Sequence, residues 1–182
     1  MRMISIETAR LTLRTPRASD LAAYLAYRNE PGALATQHMS PVSEAEALTF
    51  LCEQAVRKSD ASGWLMLAVE DTATARMIGE TGVFRAPDHL SHGNVGWWLH
   101  PDFRGKGIAT EAACGLIGWC FDALELKLIS ASCLTDNIHS LHVMKRLKLR
   151  REEPEEPREI NGIFYDQSTF AIRREGWIER DN

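Results

Sequence analysis

The 182-residue sequence has no apolar run near the roughly 18 residues that span a bilayer, and no apolar leader of the signal-peptide kind. No membrane partner is expected. It is poor in cysteine. Cys52, Cys114, Cys120 and Cys133 form no C-x-x-C pair, and three of them sit inside apolar segments. That pattern argues against a disulfide framework or a metal site, and it points to buried thiols in a reducing, cytoplasmic setting. The chain also lacks a positive excess: 21 Lys and Arg stand against 25 Asp and Glu, for a net charge of −4. A dedicated nucleic-acid binder would show a basic surplus, so direct nucleic-acid binding is not expected. There is no internal repeat, low-complexity tract or linker. One domain over residues 1–182 is expected, and a chain of that length can bury roughly 70% of its unfolded surface without staples.

What is present reads as alternating strand and helix patterns. Residues 6–14 alternate Leu11 and Leu13 against Thr12 and Arg14, the mark of a half-buried strand. Pro16 ends it, Ser19 or Asp20 can cap a helix over 21–29, and Glu30-Pro31-Gly32 breaks that helix. Residues 33–42 are expected to be an irregular loop. Ser43 and Glu46 fit a capping box ahead of a helix reaching Lys58. Residues 64–69 are apolar at every position, which predicts a strand covered on both faces. Residues 76–84 form the next strand, where Gly79 and Gly82 mark bulges or close backbone approach. A polar loop carries Asp88, His89 and His92, and a strand follows over 94–99.

The chain is organised around residues 95–112, VGWWLHPDFRGKGIATEA. A strand runs through a basic, glycine-punctuated turn, Arg104-Gly105-Lys106-Gly107-Ile108-Ala109, into a helix opened by Thr110-Glu111-Ala112-Ala113 and reaching Phe121. Such a helix start offers unpaired amides and a positive dipole end to a phosphate. A nucleotide P-loop would need G-x-x-x-x-G-K-[ST], but the glycines here are two apart and Gly107 follows Lys106. A dinucleotide turn would need G-x-G-x-x-G, and Thr110 stands at the third glycine. Both would also follow the first strand of a parallel unit, whereas this turn follows the fourth. A buried strand over 127–134 comes next, then a helix from Asp136-Asn137 to Lys148. Residues 151–159 form a solvated connection. Asn161-Gly162 signals a hairpin turn, with a last strand to Ile172. The order is strand, two helices, three strands, helix, strand, helix, two strands: an α+β domain on a mixed sheet.

Arg104-x-x-Gly107-x-Ala109 resembles the Q/R-x-x-G-x-G/A signature of the GNAT superfamily of acetyl-CoA-dependent N-acetyltransferases. Gly96-Trp97-Trp98-Leu99-His100-Pro101 is similar to the strand and turn ahead of that signature. Asn137-x-x-Ser140 with Val143-Met144-Lys145-Arg146-Leu147 resembles the family's second motif. The segments 8–14, 161–166 and 174–177 resemble its beginning and end. The subfamily resembled is the RimJ/RimL type, which acetylates the N-terminal amines of ribosomal proteins.

The resemblance implies a mixed six- to seven-stranded sheet with helices on both faces, whose fourth and fifth strands (94–99 and 127–134) splay apart. It implies acetyl-CoA as cosubstrate and no metal. Its pantetheine arm would lie along Trp97, Trp98 and Leu99, and its pyrophosphate on the turn from Arg104, Gly105, Lys106 and Gly107 through Ile108, Ala109 and Thr110. Asn137 would contact the arm, and Ser140 would hydrogen-bond the leaving thiolate, the alternative being that both only cap their helix. A backbone N–H near Trp97 to Leu99 would hold the oxyanion. The expected partner is a protein N-terminus or a small amine, and a homodimer is admitted.

Two positions depart from the pattern. Lys148 stands where a glycine usually ends the helix, and Asn94 where relatives often carry a carboxylate. The base candidates are therefore Glu80 on the neighbouring strand, His92 and Asp88. Deprotonating an α-amine of pKa near 8 at pH 7 takes roughly 1.4 kcal/mol, and a lysine roughly 4.6. A modest base thus favours α-amines. The rival expectations are a small-molecule amine acetyltransferase (antibiotic, polyamine or amino acid) and a non-catalytic acyl-CoA-binding module.

Overall fold

The computed structural model describes residues 4–153 and 156–179, so the middle of the 151–159 connection lies outside the described residues. The first strand pattern divides into β1 (Ser5–Glu7) and β2 (Leu11–Arg14), joined by a turn in which the Thr8 amide donates to the Leu11 carbonyl. After α1 (Leu21–Arg28) the expected break at Pro31 is instead the start of α2 (Pro31–Gln37). Proline fits the first helical position, where its missing N–H would have no partner. The Glu30 carboxylate accepts from the amides of Gly32 and Ala33, so residues expected to be irregular are capped into helix. Ser43 and Glu46 form the capping box of α3 (Glu44–Ala55), as the sequence predicts.

Three long strands follow: β3 (Gly63–Asp71), β4 (Arg76–Arg85) and β5 (His92–Leu99). Then come α4 (Ile108–Ala123), β6 (Leu128–Leu134), α5 (Ile138–Arg146) and β7 (Arg150–Arg151). The hairpin at Asn161-Gly162 joins β8 (Arg158–Ile160) to β9 (Ile163–Tyr165). The expected last strand is thus split: β9 pairs only with β8, while β10 (Gln167–Arg173) joins the main sheet ahead of α6 (Arg174–Glu179).

Among the described residues the main sheet has eight strands, not six or seven, in the order β1-β2-β3-β4-β5-β6-β10-β7. The additions are short: the split of the first strand and the two-residue β7. The described pairings are antiparallel except β5 with β6, which α4 connects as the crossover a parallel pair requires. Helices cover both faces. Leu65, Leu67, Val69, Val83, Val95 and Leu99 bury one face against α4 through Ala112, Leu116 and Cys120. On the other face Ala68 packs with Tyr24 and Tyr27 of α1 and with Ala47 and Leu51 of α3.

The 64–69 run is not covered on both faces as expected. Its odd-numbered residues are in the core, but Trp64 is 41% exposed. Pairing of β2 with β3 reaches back only to Ala68, and beyond it Gln54 of α3 holds the strand edge. Its Nε2 donates to the Trp64 carbonyl at 3.3 Å, and its Oε1 accepts from the Met66 amide at 2.9 Å. Lys148, where glycine was expected, takes a left-handed φ of 57°. The amides of Lys148 and Leu149 still close the helix end on Lys145 and Met144, so the turn survives with a side chain in place. Among the described residues no helix is long and apolar enough to cross a membrane.

Candidate active site

The site begins where β5 and β6 part. Their register holds for three pairs, His92 with Leu128, Gly93 with Ile129 and Asn94 with Ser130, and then ends. Asn94 pins the fork: its Nδ2 donates to the hydroxyls of Ser130 at 3.0 Å and Ser132 at 3.4 Å. Beyond it, residues 95–99 stay paired to β4 while β6 stays paired to β10, so facing strand edges open into a cleft of about 770 Å³. This is the expected splay.

At the outer end of the cleft β5 gives way to a one-turn helix, Pro101–Phe103, and the glycine turn. Gly105 and Gly107 take φ of 73° and 79°. A Cβ on Gly105 would meet nothing within 4 Å, and one on Gly107 only Arg10 Nη2 at 3.6 Å. Glycine is needed there for a left-handed backbone more than for room. Gly107 is the N-cap of α4 and gives it no side-chain cap, so no N-cap side chain covers the first-turn amides. Arg104, Gly105, Gly107, Ile108, Ala109 and Thr110 line the cleft, as do Trp97, Trp98 and Leu99. Lys106 is not among the lining residues, and its ammonium lies 5.5 Å from the Phe103 ring centroid. Arg104 is also partly committed. Its Nε donates to the Leu99 carbonyl at 3.1 Å, and its Nη1 faces Glu30 at 3.5 Å.

The turn is held from behind by two residues the sequence reading passed over. Arg10 donates from Nη1 to the Lys106 carbonyl at 3.2 Å and pairs with Glu111 of α4 at 2.7 Å. Glu111 also accepts from Thr8 Oγ1 at 2.7 Å and the Arg10 amide at 2.8 Å. Burial alone would raise this carboxyl, but those donors hold it below its usual range. The contact joins residues 101 apart, which no local pattern reveals.

Of the three base candidates only Glu80 lines the cleft. His92 begins β5 at the surface, stacked on His89 at 5.8 Å, and the Asp88 side chain is 76% exposed. Glu80 lies opposite Trp98 in the sheet and is 4% exposed. Burial raises its carboxyl to about 7, against the opposing pull of Arg28 and Tyr27. Arg28 Nη1 stands 3.5 Å from Glu80, and its guanidinium lies 4.3 Å from the Trp98 ring centroid. The Trp98 indole donates to the Tyr27 carbonyl at 3.2 Å, which fixes that ring. Trp97 packs toward the α4 core and Trp98 toward α1, so the tandem tryptophans do divide between the two faces. Arg28 is another residue the sequence left unread, because its pattern is only that of a helix.

Asn137 and Ser140 both line the cleft. Asn137 is the N-cap of α5, its Oδ1 accepting from the Ser140 amide at 3.1 Å. Capping is therefore real for Asn137, and it sets Ser140 one turn in, beside the parted strands. Among the described lining residues Glu80 is the only carboxylate side chain, against Arg28, Arg104, Arg146 and Arg158.

The sheet opens between its one described parallel pair, beside a helix start with no side-chain cap, and leaves one cleft along the opened strand edge and the glycine turn. The chain belongs to the GNAT acetyltransferase family, whose acetyltransferase (GNAT) domain model matches residues 10–150. It is 32% identical over 93 residues to the uncharacterized N-acetyltransferase YnaD of Bacillus subtilis (strain 168), covering 46% of this chain and 49% of that one. The chain thus spans about half the length of that relative. It is similar in fold to a GNAT-family acetyltransferase structure from Bacillus anthracis, with TM-score 0.81, 22% identity, and coverage of 94% of this chain and 99% of that one. It is also similar to RimL, described as a ribosomal L7/L12 α-N-protein acetyltransferase, solved with coenzyme A. There the TM-score is 0.79 at 18% identity, covering 93% of this chain and 98% of that one.

Proposed function

We propose that this chain transfers the acetyl group of acetyl-CoA to the α-amine of a peptide or protein N-terminus. The observation that carries this is the parting of β5 and β6 after Asn94, which joins the glycine turn at one end of a single cleft to Glu80 within it. Gly105, Gly107 and the first-turn amides of Ile108, Ala109 and Thr110 receive the pyrophosphate, with Arg104 beside them. The unpaired edge of residues 95–99 receives the pantetheine arm and holds the carbonyl oxygen as it gains charge. The amine attacks the thioester carbon, the C–N bond forms and the C–S bond breaks. Glu80 takes the proton the nitrogen sheds, and Ser140 hydrogen-bonds the departing sulfur. A carboxyl near 7 is matched to an α-amine near 8 and poorly matched to a lysine. The lining, with one carboxylate among several arginines, does not favour a polycationic acceptor.

The test is release of free thiol from acetyl-CoA against a panel of peptides, polyamines, aminoglycosides and free amino acids. Turnover of peptide N-termini ahead of the rest is the expected result. Preferred turnover of internal lysines or polyamines would overturn it, and cofactor binding without thiol release from any amine would mean a binding module. Ser140→Ala is expected to lower kcat about 10- to 100-fold, with acetyl-CoA affinity within about twofold of the parent. Full activity in that variant would remove Ser140 from the mechanism.

A further inference from the structure

The least explained surface in the cleft is apolar. In the register of β3, β4 and β5, Trp64 stands opposite Phe84, Met66 opposite Gly82, and Gly82 opposite Gly96. Residues two apart share a face, so Glu80 and Trp98 lie on this face one step further along. The two adjacent glycines leave the sheet bare at this point. Met66 fills the space over Gly82, and the Trp64 ring closes one side of the gap above Gly96, where an added Cβ would lie 3.4 Å from Trp64 Cη2. Phe50 of α3 and Met39, just past α2, complete the surround. Trp64 and Met39 remain 41% and 40% exposed. They line the same cleft as the Glu80 carboxyl, which is almost fully enclosed.

The trough is not where the cofactor arm is expected. That arm belongs between β5 and β6, where the lining is polar with Asn94, Ser132 and Gln167, and β3 is two strands away. Nor is Trp64 exposed because its strand is loose. Gln54 holds the backbone on both sides of Leu65, at the Trp64 carbonyl and the Met66 amide. An apolar floor left open at Trp64, with Met66 one register step of about 7 Å from the residue opposite the base, is suited to a side chain borne by the acceptor itself.

We propose that the acceptor carries a bulky apolar side chain, aromatic or branched aliphatic, on the carbon next to its amine. Trp64, Met66, Phe50 and Met39 receive it while the amine faces Glu80. This rests on the amine transfer proposed above and names the acceptor class within it. Met66, lying over Gly82, forms the floor of the trough, and the Trp64 ring beside Gly96 forms its wall.

The experiment measures kcat/KM by thiol release for peptides identical except at the first residue: Phe, Leu, Met, Ser and Gly. Phe and Leu are expected to exceed Gly by about tenfold or more, the scale set by burying one large apolar side chain. In Trp64→Ala that ratio is expected to fall to within about threefold of unity, and in Trp64→Phe to persist in part. Equal rates across the wild-type panel, or a preference for Gly or Ser, overturn the inference and leave acetyl transfer to α-amines standing. An unchanged Phe-to-Gly ratio in Trp64→Ala also overturns it. Absence of thiol release from every peptide, with acetyl-CoA bound, strikes at the proposed transfer instead. The wild-type panel decides on its own should the alanine variant fail to fold.

Discussion

Glu80→Gln is expected to lower kcat/KM for an α-amine about 100-fold or more, the lower part of the range for a lost general base, while acetyl-CoA still binds. The shape of the pH profile separates a base from a merely structural carboxylate. Burial holds the Glu80 carboxyl at about 7, so the parent should show a limb there, with activity falling as the pH drops through it. The glutamine variant should lose that limb and keep the one set by the amine near 8. Arg28 stabilises the charged form from 3.5 Å away, so Arg28→Met should move the limb to higher pH. A limb that stays near 7 in Glu80→Gln would assign it to another group.

The same group makes a stability prediction of opposite sign. Its folded pKa of about 7 lies above the ordinary 4.5. As pH rises from 4.5 to 7 the unfolded chain loses this proton before the folded one does, so the fold weakens across that window and stays weakened above it. Glutamine has no such ionisation. Glu80→Gln should therefore unfold at higher temperature than the parent at pH 8, with a gain on the order of 1–3 kcal/mol, and the gain should vanish below about pH 4.5. A variant less active yet more stable above about pH 4.5, with the full gain above neutrality, is hard to obtain from a residue that merely packs.

What could be read from the sequence was local chemistry. The glycine turn, the Ser43–Glu46 capping box and the Asn161–Gly162 hairpin each depend on residues within a few positions, and each appears where expected. Pro31 was misread because proline breaks a helix from inside but starts one from its first turn, and Glu30 as cap decides between the two. The splits of the first and last strands are unmarked in the sequence, since neither Thr8-Ala9-Arg10 nor Asp166 carries a glycine or proline at the break. Long-range facts were not legible. Nothing near Glu80 in sequence announces Arg28 and Tyr27, which come from a helix some 50 residues earlier and set its charge. Nothing near Lys106 announces Arg10. The run at 64–69 is the instructive failure. Uniform apolarity predicts two covered faces, whereas the second face is covered at Ala68, opposite Glu80, and open at Trp64.

Gly107→Val is expected to weaken acetyl-CoA binding about 100-fold or more while lowering thermal stability far less. Gly107 sits at φ 79°, a region a β-branched side chain avoids at a cost of order 1–3 kcal/mol. The structure offers two ways to meet that cost. The fold can absorb it, or the turn can relax toward negative φ and turn its amides away from the cleft. Space does not oppose the side chain, since the nearest atom to an added Cβ is the end of Arg10 at 3.6 Å. Relaxation is therefore the easier route, and it acts on the amides that α4 leaves without a side-chain cap. Because Gly107 is also the residue on which α4 begins, a small shift there reorients Ile108, Ala109 and Thr110 together. Arg10 bears on the same point, as its bond to the Lys106 carbonyl resists that shift from outside the cleft. Gly105→Ala, at a similar φ of 73° with nothing near its Cβ, should show a milder form of the same defect. Titration of acetyl-CoA by calorimetry beside a thermal melt measures both quantities on one sample. Unchanged affinity in Gly107→Val would detach the pyrophosphate from this turn, and with it the orientation of the thioester toward Glu80.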